Sequence, residues 1–275
     1  MNREIYYCKK EAFLKNAKLP VRILESEQAI YEEIAEIMLD TIKQNNAAGK
    51  PTTIICPVGP IGQYPIFVQQ VNSERVSLKN CVFINMDEYL KDDDTYVEYD
   101  GGLSFCEIMD RLLYSKVDPE LVMPPENRLF PVPGKEAEID AFIASREIDC
   151  CLTGVGINGH IAFNEPPEAE DPITDEDFAE IGTRCLDIAR ETVTNNGRSK
   201  YAGALDVFPK RCITLGMAQL LRAKVFKIYL YYDWQFGIMR KVALGEVTKS
   251  APASYLQRHP NAEMIITEAL YQTEL

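Results

Sequence analysis

Residues 148 to 167 read IDCCLTGVGINGHIAFNEPP. The first eight, IDCCLTGV, form a short apolar run of the kind that makes a strand buried on both faces. The continuation contains a literal G-x-G-x-x-G in Gly154, Gly156 and Gly159, the spacing of a dinucleotide-binding loop. That fingerprint needs its third glycine in the first turn of a long helix whose amino end holds the pyrophosphate. Here Gly159 is followed by HIAFNEPPEAEDP, and Pro166, Pro167 and Pro172 forbid a helix through that segment. The stretch also lies in the middle of the chain, away from any opening βαβ unit. A cofactor cradle is therefore the weaker reading, and the loop is read for its own chemistry. Glycines allow close backbone approach, His160 titrates near neutrality, and Glu165, five residues on, can orient it. The structural alternative is a histidine that only hydrogen-bonds within its loop.

Outward from this stretch, helical and strand periods alternate. Between about residues 25 and 44 the apolar positions Ile30, Ile34, Met38 and Ile42 recur every four residues, along one stripe of a helix. TTIIC reads as a strand, PVGPIGQYP as a turn-rich loop and IFVQQVN as a helix. CVFINM then reads as a strand, SFCEIMDRLLY and AEIDAFIASR as helices, and GMAQLLRA as another helix after the 148–155 strand. KVFKIYLYY, FGIMRKVALGE and AEMIITEA complete the pattern as strand, helix and strand. Short apolar strands separated by helices indicate an α/β fold with a mostly parallel sheet and helices on both faces. With no internal repeat and no clean linker, residues 1–275 are expected to form a single domain.

Composition narrows the function classes. A hydrophobic share of 46% with 26% charged residues fits a globular chain and argues against extensive disorder. No apolar run approaches the roughly 20 residues of a membrane span, and MNREIYYCKKEAF lacks the apolar centre of a signal peptide, so a cytoplasmic location is expected. The eight cysteines include no C-x-x-C pair and read as reduced, mostly structural thiols, which leaves no zinc site in view. A formal net charge of -13 argues against a nonspecific nucleic-acid or anionic-membrane binder, because counterion release needs a basic face. Small molecules are the better candidate ligands, and an assembly of like copies stays open.

In open α/β sheets ligands bind in loops at the carboxyl ends of the strands. Three such loops stand out: CPVGPIGQYP, NMDEYLKDDD and TGVGINGHIAFNEPP. In NMDEY, Asp87 and Glu88 alternate, so that one enters the crevice while the other faces away. From position alone, a catalytic carboxylate and a turn-forming or helix-capping one stand equal there.

Taken together, FINMDEY, GVGINGHIAFNEP, FPKRCITLGMAQLL and YLQRHPNAEMI, in that order, resemble the glucosamine-6-phosphate deaminase (isomerase) family and its sugar-phosphate isomerase and 6-phosphogluconolactonase relatives. The resemblance runs from about residue 26 to residue 268. It implies a Rossmann-like fold and conversion of an amino sugar phosphate to fructose 6-phosphate and ammonia, an enzyme of the hydrolase and isomerase classes without metal or organic cofactor. It makes Asp87 the base that moves a proton between C1 and C2, and His160 the group that assists ring opening, with Glu165 as its partner. It also suggests Gly59, Gly62, Gly156, Gly159 and Lys210 as substrate or phosphate ligands.

The departures from that pattern are informative. The residue two before His160 is commonly aspartate in the family and is Asn158 here; an amide can orient an imidazole but cannot stabilise its cation by charge. The family's hydroxyl-rich phosphate loop is replaced by PVGPIGQYP, in which Gly59 and Gly62 still offer amides and Pro60 removes one. An expected upstream arginine falls in ARETVTNNGRSKY, where Arg190 and Arg198 are the candidates. Residues 165 to 180 hold eight acidic residues and no basic one, within a segment near 165–195 where the resemblance suggests a lid. These departures keep three alternatives in view: a sibling phosphosugar isomerase, a lactonase, and a catalytically silent sugar-phosphate sensor.

Overall fold

The computed structural model describes residues 3–99 and 102–275. Its apolar runs assemble into one seven-stranded parallel sheet: β1 (Val21–Leu24), β2 (Thr52–Cys56), β3 (Cys81–Asn85), β5 (Arg128–Leu129), β6 (Ile148–Gly154), β9 (Ala223–Leu230) and β10 (Ala262–Thr267), in the spatial order β1-β10-β9-β6-β2-β3-β5. The central strands are apolar on both sides because both sheet faces are covered. On β2, Ile54 and Cys56 join one core while Ile55 joins the other. The first core packs the Glu27–Ala47 and Gln63–Glu74 helices, and the second the Glu136–Ala144 and Phe236–Leu244 helices.

The long helix behaves as its periodicity predicts. Ile30, Ile34, Met38 and Ile42 are all buried, and Ser26 caps the start by accepting the Ala29 amide at 3.1 Å. The prolines after Glu165 act as expected too: the next helix starts only at Asp175, beyond Pro172.

From β2 the chain winds outward through β3 to β5, then returns to the other side of β2 at β6 and continues through β9 to β10. The loops after β2 and β6 therefore diverge from neighbouring strands, which opens the crevice where doubly wound sheets bind ligands.

A smaller sheet goes beyond what periodicity predicts. β4 (Asp87–Leu90), β8 (Arg211–Thr214) and β7 (Arg184–Asp187) pair antiparallel, with Asp87 opposite Thr214. NMDEY is thus the last residue of β3, one intervening residue, Met86, and the start of a second strand, and Asp87 sits on sheet backbone. The other departures are of length. GMAQLLRA yields only the four-residue helix Met217–Leu220, and AEMIITEA is a strand to Thr267 and a helix from Glu268. Among the described residues no helix is long and apolar enough to cross a membrane, and all eight cysteines are free.

Candidate active site

The strand ends β2, β3, β6 and β9 surround a cavity of about 440 Å³, closed on one side by the polar Arg190–Lys200 helix. Asp87, from just after β3, lines it and is buried. Desolvation, with the neighbouring Glu88 charge added, pushes the Asp87 carboxyl up to about 7, against the pull of His160 and Lys200. Glu88 points the other way. Its carboxylate accepts from the amides of Tyr89, Phe105 and Cys106 at 2.9, 2.9 and 2.8 Å and from the Ser104 hydroxyl at 3.1 Å. Adjacent carboxylates are thus placed differently, Asp87 facing the cavity and Glu88 capping the Phe105–Met109 helix.

The glycine-rich loop holds His160. Its Nδ1 lies 2.9 Å from Asn158 Oδ1, 2.9 Å from Glu165 Oε2 and 3.2 Å from Thr192 Oγ1. With two good acceptors at Nδ1, that nitrogen carries the proton and Nε2 is left for the cavity. Burial disfavours the charged imidazole, yet the Glu165 carboxylate and, less strongly, Asp87 outweigh it and hold His160 above its ordinary range. Burial likewise pushes Glu165 up, but His160 and the bonds from Asn158 and Thr192 leave it below its ordinary range. Asn158 does something an aspartate could not: while its oxygen faces the imidazole, its amide donates to Glu165 Oε2 at 2.7 Å.

The glycines have conformational tasks. A Cβ on Gly156 would overlap the His160 ring, so the ring lies directly on that backbone. Gly159 has φ +94°, and its backbone is wedged against Ile238 and Ala251. Their amides are engaged inside the loop, Gly156 donating to the His160 carbonyl at 3.0 Å and Gly159 to the Gly156 carbonyl at 2.9 Å. The loop is pinned from below by Phe163 donating to Thr214 Oγ1 at 3.1 Å and Asn164 donating to the Leu215 carbonyl at 2.8 Å.

Other sequence candidates separate. Gly59 lines the cavity with open space where a side chain would be, and Arg198 lines it too. Gly62 lies beneath the Tyr31 ring, and Lys210 is exposed and contributes its carbonyl to Ile188; neither lines the cavity, nor does Arg190. The acidic segment is tied down in part, since Asp175 accepts the amide of Lys249 at 2.6 Å and Phe178 is buried.

Several lining residues escape a reading of the sequence. Thr192, Asn196 and Lys200 come from a helix with no apolar stripe. Tyr231, Tyr232 and Trp234 follow β9, where the strand-end rule that selects three loops should also select a fourth. Gln235 fastens this aromatic loop in place: its oxygen accepts from the amides of Tyr231 and Tyr232 at 2.8 and 2.9 Å, and its amide donates to the Val155 carbonyl at 2.8 Å.

Comparison with known proteins fits this geometry. A glucosamine-6-phosphate deaminase of Streptococcus equi subsp. zooepidemicus is 30% identical over 241 residues, covering 86% of this chain and 93% of that protein. The chain belongs to the glucosamine-6-phosphate deaminase family. A second member, from Lactococcus lactis subsp. lactis, is 28% identical over 238 residues with the same coverage, 86% and 93%. Among solved structures, a monomeric glucosamine-6-phosphate deaminase superposes with a TM-score of 0.77 at 22% identity, covering 92% of this chain and 100% of that one. A 6-phosphogluconolactonase from Shewanella baltica reaches 0.60 at 15% identity over 90% and 97% of the two chains. At those identities the superpositions speak to the α/β fold that the family shares with the lactonases. No protein-family model matches the chain.

Proposed function

We propose that this family member catalyses, in the cytoplasm, aldose-ketose isomerisation with deamination of a hexosamine 6-phosphate, taking glucosamine 6-phosphate and water to fructose 6-phosphate and ammonia. The observation that carries this reading is one cavity lined by two proton-transfer groups of different kinds. Asp87 is a buried carboxyl poised near neutrality, and His160 is an imidazole with one nitrogen held and the other free. Proton transfer by a positioned group works best when its pKa lies near the working pH.

In this scheme His160 Nε2 takes the O1 hydroxyl proton and returns one to the ring oxygen, opening the pyranose. Glu165 and Asn158 keep the imidazole in the required tautomer throughout. Asp87 removes the proton from C2 and delivers it to C1. The C2 amine becomes an imine as the C1 carbonyl becomes a hydroxyl, and water adds to C2 to release ammonia. The water step gives the reaction its hydrolase character. Gly59 and Arg198 are the proposed contacts for the phosphate, one through close backbone approach and the other by charge.

The test is a panel of glucosamine, galactosamine and mannosamine 6-phosphates, their non-amino counterparts and 6-phosphogluconolactone, followed for ammonia, ketose and acid. Ammonia and ketose should appear together from an amino sugar phosphate. Asp87→Asn and His160→Gln should each lower kcat by about 100-fold or more, the size of a lost general acid or base. Wild-type turnover in both variants would overturn the assignment. Acid release from the lactone alone would move the protein to the lactonase branch, and binding without turnover would make it a sensor.

A further inference from the structure

We propose that Asn195 is a specificity-determining residue of the cavity, a free amide that reads a hydroxyl in the middle of the sugar chain, at C3 or C4. The inference rests on the hexosamine 6-phosphate reading above and names the residue that selects among such sugars.

One face of the Arg190–Lys200 helix is turned to the cavity. Thr192, Asn195, Asn196 and Ser199 stand at i, i+3, i+4 and i+7, the spacing that puts side chains on one side of a helix, and all four line the cavity. The stripe that in most helices is apolar and faces a core is here polar and faces the ligand space. Its members are not equally available. Thr192 is buried, with its hydroxyl 3.2 Å from His160 Nδ1. Asn196 donates to the Tyr89 hydroxyl at 3.0 Å. The Ser199 hydroxyl turns back on its own helix, to the carbonyls of Asn195 and Asn196 at 3.2 and 3.1 Å. Asn195 is left: its amide nitrogen reaches only Asn196 Oδ1, at 3.5 Å, and among the described residues nothing donates to its side-chain oxygen.

A carboxamide offers two donors and an acceptor, which matches a hydroxyl, itself both donor and acceptor. Phosphate offers acceptors alone and suits a cation, and Arg198 lines the same cavity. Position along the helix then selects the hydroxyl. Thr192 marks the end at His160, the group proposed for ring opening, and Arg198 marks the end proposed for the phosphate. At a rise of about 1.5 Å per residue, Asn195 lies midway, about 4.5 Å from each along the axis. A sugar laid along the stripe, with C1 at His160 and its phosphate at Arg198, brings C3 and C4 to Asn195. A site that hydrogen-bonds a hydroxyl rejects sugars that lack or misplace it, because its own polar group is then left unpaired.

The test is a double-mutant cycle of residue against hydroxyl. Wild type, Asn195→Ala and Thr194→Ala are assayed for ammonia release from glucosamine 6-phosphate and from its 3-deoxy and 4-deoxy analogues. Alanine suits a helix better than asparagine, so the first variant keeps the element standing. Thr194 is the control on the same helix, exposed and bonded to the Arg190 carbonyl at 2.8 Å. Asn195→Ala should lower kcat/KM for glucosamine 6-phosphate about tenfold, and wild type should lose about as much on one of the two analogues. The losses should not multiply: on that analogue Asn195→Ala and wild type should differ by less than about twofold. Thr194→Ala should follow wild type throughout. Losses that multiply on both analogues, or wild-type kcat/KM for glucosamine 6-phosphate in Asn195→Ala, would overturn the proposal. If wild type releases no ammonia, the functional reading fails, and the same cycle read as Kd by calorimetry with glucose 6-phosphate and its two deoxy analogues decides the role of Asn195. No binding of these sugars by wild type would then overturn that role as well.

Discussion

The cavity has two unlike walls. One is made by Asp87, His160 and the helix that supplies Thr192, Asn196, Arg198 and Lys200, and it carries titratable groups held by hydrogen bonds and opposed charges. The other, after β9, is aromatic: Tyr231 packs 4.5 Å from Tyr232, which stacks at 5.4 Å and 15° on Trp234. Among the described residues the cationic groups that line the cavity, Arg198 and Lys200, both belong to the first wall. On the proposed function the contrast is a division of labour. Proton handling is placed where desolvation and charge can set pKa values, and the opposite side offers ring faces that suit the C–H face of a sugar.

The largest effect expected from breaking this contrast is at Asp87. Its folded-state pKa is raised to about 7 from an ordinary 3.8, so its protonated form is favoured by folding. The stability this gives is fully present below pH 3.8 and is lost as pH rises through about 7. Asp87→Asn, inactive by proposal, should therefore unfold at higher temperature than wild type at about pH 8, with the gain shrinking towards about pH 4. The upper limit is about 4 kcal/mol, set by the gap between 3.8 and about 7. Calorimetry at the two pH values checks it, and an equal difference at both would contradict a burial origin.

On the aromatic wall, Trp234→Ala should raise KM about 3- to 10-fold with kcat little changed, the size of a lost ring contact. Steady-state kinetics decides this, and a fall confined to kcat would assign the tryptophan to the proton-transfer side. The smallest effect belongs to Asn158→Asp. A second carboxylate at His160 should hold the imidazole protonated to higher pH, while loss of the amide donor and repulsion from Glu165 act against it. The expected outcome is a few-fold change in kcat with an upward shift of the His160 titration, readable by proton NMR.

Much of the fold is legible because burial on both sheet faces writes continuous apolar runs such as TTIIC and IDCCLTGV, and the covering Glu27–Ala47 helix keeps its stripe. The small sheet is not, since its three strands are four residues each and mix charged with apolar positions, as in RCLD and DEYL. Legibility of the site follows the same physics. His160, Asn158 and Glu165 lie within eight residues of one another and meet through local geometry. Lys200 reaches the site only because a mostly polar helix is laid across the cavity, and Gly62 and Lys210 carry family positions without reaching it. Sequence spacing gives contacts made by a loop with itself; it does not give those made by docking one element on another.

The three hydrogen bonds of Gln235 bear on how the walls communicate. They join the aromatic loop to the Val155 carbonyl, at the root of the loop that carries His160, through a side chain that is itself buried. A ligand that shifts Tyr231 or Tyr232 therefore pulls on the backbone beneath the imidazole. By thermodynamic reciprocity, whatever such a ligand does to the protonation of His160, the protonation of His160 does to the affinity of that ligand.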